Sequence, residues 1–324
     1  MPKHSRPKRG TMQFWPRKRA KRIYPTINWY SIQSKDTKPL GFCCWKVGMT
    51  HVMLTDNNQK SISYGKIITK PVTVLETPSL FVLGIRFYEK TNYGLRSISD
   101  KWAATIPKEL SIDRKTPISK KTDSPEKYDD ITLLIATQPK KSGMKKLKPD
   151  VMEIGIGGDL VKKIDYAESI LGKEINAKEI FKPGEFVDVS GVTKGYGFTG
   201  AVVRYGIRIQ TRKDQQKQRT PGSIGSVVPR RVDWRVPMAG QHGFHTRTEF
   251  NKKVLALDDD TSKINVKGGY LKYGLVKGPY ILVEGSLPGP AKRMLVIRKA
   301  SRAWRKEIPV ELKYISLTSK QGIR

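Results

Sequence analysis

The sequence predicts a mainly β fold: an antiparallel β-barrel interrupted by an α+β insertion, with an extended basic N-terminal arm and a long basic loop. Three observations predict it. Short runs rich in Val, Ile, Leu and Phe are separated by Pro, Gly, Asn and Asp at the spacing of a barrel or sandwich. One segment carries apolar residues at three- and four-residue spacing, the period of a helix. Two further segments are strongly cationic and carry neither period.

The 324 residues include 62 Lys and Arg against 29 Asp and Glu, a formal net charge of +33. A field of that size repels itself, which implies a permanent polyanionic partner rather than a fleeting acidic substrate. The 37% hydrophobic content still supports one or two cores. No apolar run approaches the roughly 18 residues of a membrane span, and Met1-Pro2-Lys3-His4 opens no signal-peptide core, so a cytoplasmic protein is expected. Cys43 and Cys44 are adjacent and point to opposite faces of a strand, which disfavours a disulfide. Vicinal cysteines also fit zinc spacing poorly, so they read as small residues on a buried strand and no metal is expected.

Residues 1–38 form the arm. Between Lys3 and Arg22 lie nine Lys and Arg and no acid, with Trp15 and Pro16 among them and no helical stripe. Residues 39–94 are the first part of the barrel: 41–47, 51–55, 72–76 and 80–88 are strand-like, with turn chemistry at Asp56-Asn57-Asn58 and a break at Thr77-Pro78. Residues 95–180 form the insertion, with strands at 131–137 and 151–156. A helix follows, carrying Leu160, Ile164, Ala167 and Leu171 on one side. Gly155-Ile156-Gly157-Gly158 lacks the Gly-Lys-Ser/Thr ending of a phosphate loop, and Asp159 reads as the helix N-cap.

Residues 181–206 resume the barrel with a strand at 186–189. A glycine-rich turn follows from Ser190 to Gly200, in which Lys194 and Tyr196 offer a phosphate contact and a stacking face. Residues 207–257 are the extended loop. From Arg204 to Lys253 there are twelve Lys and Arg against three acids, punctuated by Pro221, Gly222, Gly225 and Pro229. Too few long aliphatics are present for that stretch to fold on its own. About 25 residues each way span up to roughly 80 Å when extended. Residues 258–324 complete the barrel, with strand texture at 266–276, 280–284 and 294–297. Asp258-Asp259-Asp260 reads as a solvated turn rather than a Mg²⁺ site.

The residues chosen for RNA contact follow from this pattern. In the arm they are Arg6, Lys8, Arg9, Trp15, Arg17, Lys18, Arg19 and Arg22. His51, Lys194, Tyr196 and Arg204 precede the loop. Arg208, Arg212, Lys213, Lys217, Arg219, Arg230, Arg231, Trp234 and Arg235 lie along it. Gln241, His242, His245, Arg247, Asn251 and Lys252 carry side chains suited to base edges, riboses or phosphates. Trp45, Val74, Phe81, Ile85, Val187, Val189, Val283 and Val296 are expected in the barrel core. Histidine occurs only at 4, 51, 242 and 245, and no nucleophile–base pair is legible. No catalytic residue, cofactor, small-molecule substrate or membrane contact is therefore expected. The alternative reading, an RNA-modifying enzyme or translation factor on a similar barrel, requires a cofactor or nucleotide loop of a kind the sequence does not display.

Six segments in order resemble the L3 family of universal large-subunit ribosomal proteins, in its archaeal and eukaryotic form. They are Ser5-Arg6-Pro7-Lys8-Arg9-Gly10 with Pro16-Arg17-Lys18-Arg19-Ala20, Lys46-Val47-Gly48-Met49-Thr50-His51, and 71–78. The others are 189–195, Ala239-Gly240-Gln241 with 243–249, and Gly285-Ser286-Leu287-Pro288-Gly289-Pro290. The resemblance implies a barrel like the second domain of elongation factor Tu, seated on large-subunit 23S-type rRNA near its 3′ end beside other large-subunit proteins. It also implies early action in subunit assembly and a loop reaching toward the peptidyl-transferase centre. Two departures stand out. After Ile224-Gly225-Ser226, Val227 falls where the family carries a Trp, with Trp234 seven residues on. Gln215 falls where eukaryotic members carry a His.

Overall fold

The computed structural model describes residues 7–32, 34, 36–110, 125, 127–214, 217–228, 230–302, 307–319 and 321. In chain order the strands and helices are β1 (Gly41–Thr55), β2 (Ile67–Glu76), β3 (Leu80–Thr91), β4 (Gly94–Trp102), β5 (Asp130–Thr137) and β6 (Val151–Gly155). Then come α1 (Leu160–Ile170), β7 (Glu174–Ile175), α2 (Ala177–Ile180), β8 (Phe186–Val192), β9 (Gly195–Thr199) and α3 (Ala201–Tyr205). The last are β10 (Gly240–Gly243), β11 (Thr246–Asp258), β12 (Tyr280–Glu284), β13 (Met294–Lys299) and β14 (Glu311–Ile315). They form two compact units, one of residues 1–23 with 192–247 and one of 24–191 with 248–324.

The larger unit holds a ring of strands in the order β13-β8-β11-β12-β2-β1, closed by pairing of β1 with β13. Closure leaves no free edge within the ring, and β14 pairs with the far half of β1. The two stretches expected as separate strands at 41–47 and 51–55 are one strand, because a register shift between Lys46 and Gly48 bends β1 without ending it. Val47, Val72, Val74, Val187, Val189, Val254 and Val283 are fully buried, as β-branched residues on facing strands should be.

Residues 41–47 are buried on both faces, unlike the alternation of a half-solvated strand. The insertion is the cause. Its sheet, β4-β3-β5-β6 with β7 on β3, lays Leu80, Leu133, Ile135 and Ile154 beside Phe42 around a small apolar void. The helix α1 packs over β3 and β5 through Ala167. Asp159 stands at its N-cap position but makes no side-chain capping bond.

Several expectations need correction. The strand at 80–88 is β3 and belongs to the insertion's sheet, so the first barrel part ends at Glu76. Phe81 and Ile85 are buried there; Phe81 packs with Leu83 and Leu134 on a separate small core. The break at Thr77-Pro78 is where the chain changes sheets. The edge strand β4 passed unnoticed because its residues are mostly half-exposed polar ones. Residues 266–276 are turns with one isolated bridge, Tyr270 to Gly274; their tyrosines and valines pack as a plug. The turn expected at 190–200 is the end of β8 followed by β9, and Gly191 lies inside the barrel wall opposite Leu295. Of the arm, residues 24–32 lie on the larger unit: the Tyr24 hydroxyl donates to the Val151 carbonyl and Trp29 Nε1 to that of Glu153.

Glu76 ends β2 with no solvent exposure. Its carboxylate accepts from the backbone N–H groups of Gly143, Lys277 and Gly278 at 2.8 to 3.1 Å and from the Tyr273 hydroxyl. Two substitutions check the architecture. Val189→Asp puts an unpaired charge in the barrel wall and should cost about 3 kcal/mol or more. Glu76→Ala strands the N–H donors and should cost about 3 kcal/mol, whereas Glu76→Gln should cost less. Thermal and urea unfolding measure both, and an unchanged midpoint in either destabilising variant refutes its placement.

Candidate nucleic-acid interface

The smaller unit is built on β9 and β10, which pair with Gly240 opposite Thr199 and Gly243 opposite Gly195. Gly243 has a φ of +71°, and a Cβ there would sit 2.0 Å from the Lys194 carbonyl oxygen, so only glycine closes this turn. The short α3 ends at Gly206 in the left-handed region, and the described residues from 207 to 239 then hold a 3-10 turn at Arg212–Asp214 and turns at 218–219 and 234–235 but no strand or α-helix. The return limb is regular again from Gly240. The extended loop is therefore shorter than 207–257, because residues 240–257 lie mostly in β10 and β11.

The arm is laid along this unit by polar contacts. The Ala20 amide donates to the Phe244 carbonyl at 2.8 Å. Arg247 donates to the Pro16 carbonyl at 3.0 Å and to that of Phe14. His245 is buried; its Nε2 accepts from the Gly243 amide at 3.1 Å and its Nδ1 lies 2.9 Å from the Lys18 carbonyl, which fixes Nδ1 as the protonated nitrogen. Arg204 donates to the carbonyls of Gln241 and Met238 at 2.9 and 3.0 Å. These side-chain bonds of Arg204 and Arg247 thus run to backbone carbonyls.

Aromatic rings fill the spaces between. Arg17 and Arg204 lie 4.7 and 5.1 Å from the Tyr205 ring centre. Trp15 meets Trp234 edge to face at 4.9 Å, and Tyr196 stacks on His242 at 4.9 Å and 23°. Tyr196, Phe198 and Trp234 stay more than half exposed. A cleft of about 530 Å³ opens between Trp15, Arg17, Arg204, Tyr205 and Trp234.

The residues chosen from sequence distribute unevenly. Lys8, Lys18, Arg19, Arg22, Lys194, Arg208, Arg212, Lys213, Lys217, Arg219, Arg230, Arg231 and Arg235 are exposed, and Arg9 and Gln241 are half-buried. Arg6, Gln215 and Pro229 lie outside the described residues. His245 is buried and Arg204 and Arg247 are half-buried, and all three make the internal contacts given above. His51, Asn251 and Lys252 belong to strands of the larger unit. The Ser316 amide donates to the His51 carbonyl, the Asn251 amide donates to buried Asp188, and Lys252 pairs with Glu249 at 2.7 Å. Asp258 ends β11, Asp259 lies at a bend and Asp260 caps the segment Thr261–Lys263, with Lys263 pairing with Asp258. Among the described residues no three metal-ligand side chains cluster, and no helix is long and apolar enough to cross a membrane.

Basic, aromatic and glycine-rich segments in this order match a known family profile, described as Ribosomal protein L3, over residues 1–116 and 111–322. The chain belongs to that family. It is 44% identical over 335 residues to the large ribosomal subunit protein uL3 of Methanopyrus kandleri, covering 98% of this chain and 92% of the relative. The same identity holds against the uL3 proteins of Methanococcus vannielii, with 99% of each chain covered, and Methanobrevibacter smithii, with 100% of each covered. These relatives are archaeal, in keeping with the archaeal and eukaryotic form of the L3 family.

Tyr205 escaped the sequence reading, although an aromatic between Arg204 and a helix-ending Gly206 is a legible signal. Burial pushes the His245 pKa below the ordinary histidine value, and the charges of Arg247 and Arg204 add to this against the hydrogen bond to Lys18. The folded state thus takes up a proton less readily than the unfolded one. Stability of the arm's attachment is present above the unfolded value of about 6.5 and declines as pH falls below it. The protection factors of the Ala20 and Gly243 amides, that is exchange relative to its intrinsic rate at each pH, should be larger at neutral pH than in mild acid, and His245→Gln should flatten the difference. An unchanged pH dependence in that variant contradicts the assignment.

Proposed function

We propose that this protein is a structural constituent of the large ribosomal subunit that binds large-subunit rRNA directly and performs no chemistry of its own. The observation that carries the reading is the smaller unit, in which cations and aromatics are organised by backbone contacts while at least a dozen Lys and Arg side chains stay exposed. Such a surface needs phosphate to neutralise it and unstacked bases to cover its rings. Neighbouring subunit proteins are further partners, and the setting is cytoplasmic. The closed six-strand ring supports likeness to the second domain of elongation factor Tu. Its seat near the rRNA 3′ end, an early role in assembly and a loop directed to the peptidyl-transferase centre belong to the same reading.

Sedimentation of a cell lysate tests the function: the protein should remain with large subunits in one-to-one amount after a high-salt wash. Loss in the wash, or recovery in small amounts, would indicate a factor instead. Arg230→Ala with Arg231→Ala should weaken rRNA-fragment binding and reduce the slope of log K against log salt by about 1.5. An unaltered slope removes both residues from the interface.

A further inference from the structure

The cleft of the smaller unit has a shape that general affinity for a polyanion does not require. Its volume of about 530 Å³ falls in the roughly 300–1,000 Å³ range of sites that enclose one small ligand. A helical backbone would touch only its rim. Trp15 and Trp234 form one wall, Tyr205 another, and Arg17, Lys18 and Arg204 also line it. Arg17 Nη1 is buried and has no hydrogen-bond partner among the described residues, although it carries N–H donors. Trp234 keeps 59% of its surface exposed despite its edge contact with Trp15, so ring surface remains for another planar group.

We propose that this cleft receives one unstacked nucleotide of the ribosomal RNA, its base against Trp234 and an acceptor atom of that nucleotide facing Arg17 Nη1. The proposal rests on the rRNA-binding reading and adds a defined subsite to it. A bare phosphate would satisfy the guanidinium but leave the indole rings without purpose. An apolar peptide would cover the walls but leave the buried donor unpaired, which is costly. A nucleotide satisfies both, since every base has a stacking face and acceptor atoms on its edge.

The test uses the full chain and three RNA probes: single-stranded hexa-adenylate, an abasic strand with the same number of phosphates, and a short duplex. Hexa-adenylate should bind about tenfold more tightly than the abasic strand. Trp234→Ala should abolish most of that preference and leave abasic and duplex binding unchanged, while Trp234→Phe, which keeps a ring, should retain it. Circular dichroism on both variants establishes that the fold is intact. Equal binding of adenylate and abasic strands by the native chain, survival of the preference in Trp234→Ala, or equal loss for all three probes would each overturn the proposal. If the protein sediments with large subunits yet lacks the base preference, only the subsite fails; if it does not sediment with them, the rRNA-binding reading itself fails.

Discussion

The chain first passes from the barrel to the insertion's sheet just after Glu76, and the buried carboxylate of that residue governs the crossing. Burying an acid without partners costs several kcal/mol, so the surrounding chain must bring donors to it. It does so from two separate loops, Gly143 on one and Tyr273, Lys277 and Gly278 on the other. Each loop is irregular, and each needs a fixed acceptor to hold its backbone N–H groups in place. Removing Glu76 would therefore free two loops at once rather than one contact. Asp188 follows the same logic within the barrel. It is fully buried and accepts from the Asn251 amide, from Ser301 and from Arg298. Both acids are placed where they organise backbone, away from the cations that face outward.

That placement bears on the excess of 33 positive charges. A chain could relieve its own repulsion by surrounding surface lysines and arginines with carboxylates. The smaller unit does otherwise: Arg204 and Arg247 donate to carbonyl oxygens, which orient a guanidinium without cancelling its charge. Tyr205 adds a ring face to the same pair of forces. The result is a preorganised positive field, with the cost of ordering the side chains met before any polyanion arrives. Charge contacts of this kind orient without reading sequence, whereas exposed rings such as Tyr196 and Phe198 favour unpaired bases.

Most of the barrel was legible because buried strands write themselves as runs of Val, Ile and Leu between turn residues. What was not legible is which sheet a strand joins. The texture of 80–88 is the same as that of 72–76, yet Thr77-Pro78 sends it to a different sheet, and nothing local to either strand encodes the partner. The tyrosines and valines of 266–276 were misleading for a related reason: β propensity reflects packing against any apolar surface, and a plug of turns offers one too. Helix α1 was easy because its period is local. In the interface, exposed cations were legible from charge alone. The internal contacts of His245 and Arg247 were not legible, because sequence cannot show that the arm, more than 220 residues away, provides the carbonyls they bind.

The loop around Val227 differs in chemistry from the cleft. Where the family places a Trp, this chain has Val227, followed by Val228, each about four-fifths exposed. Two valines offer apolar contact but neither a stacking face nor an indole N–H, so they can fill a gap between RNA segments without reading a base. Isolated exposed valines are unremarkable on a surface, but two at the end of an irregular cationic loop make sense only if assembly covers them. Register must then come from elsewhere, and the candidates are the charged Arg230 and Arg231 just beyond and the ring of Trp234. Val227 has no ring, whereas Trp234, seven residues on, keeps one that Trp15 supports edge to face.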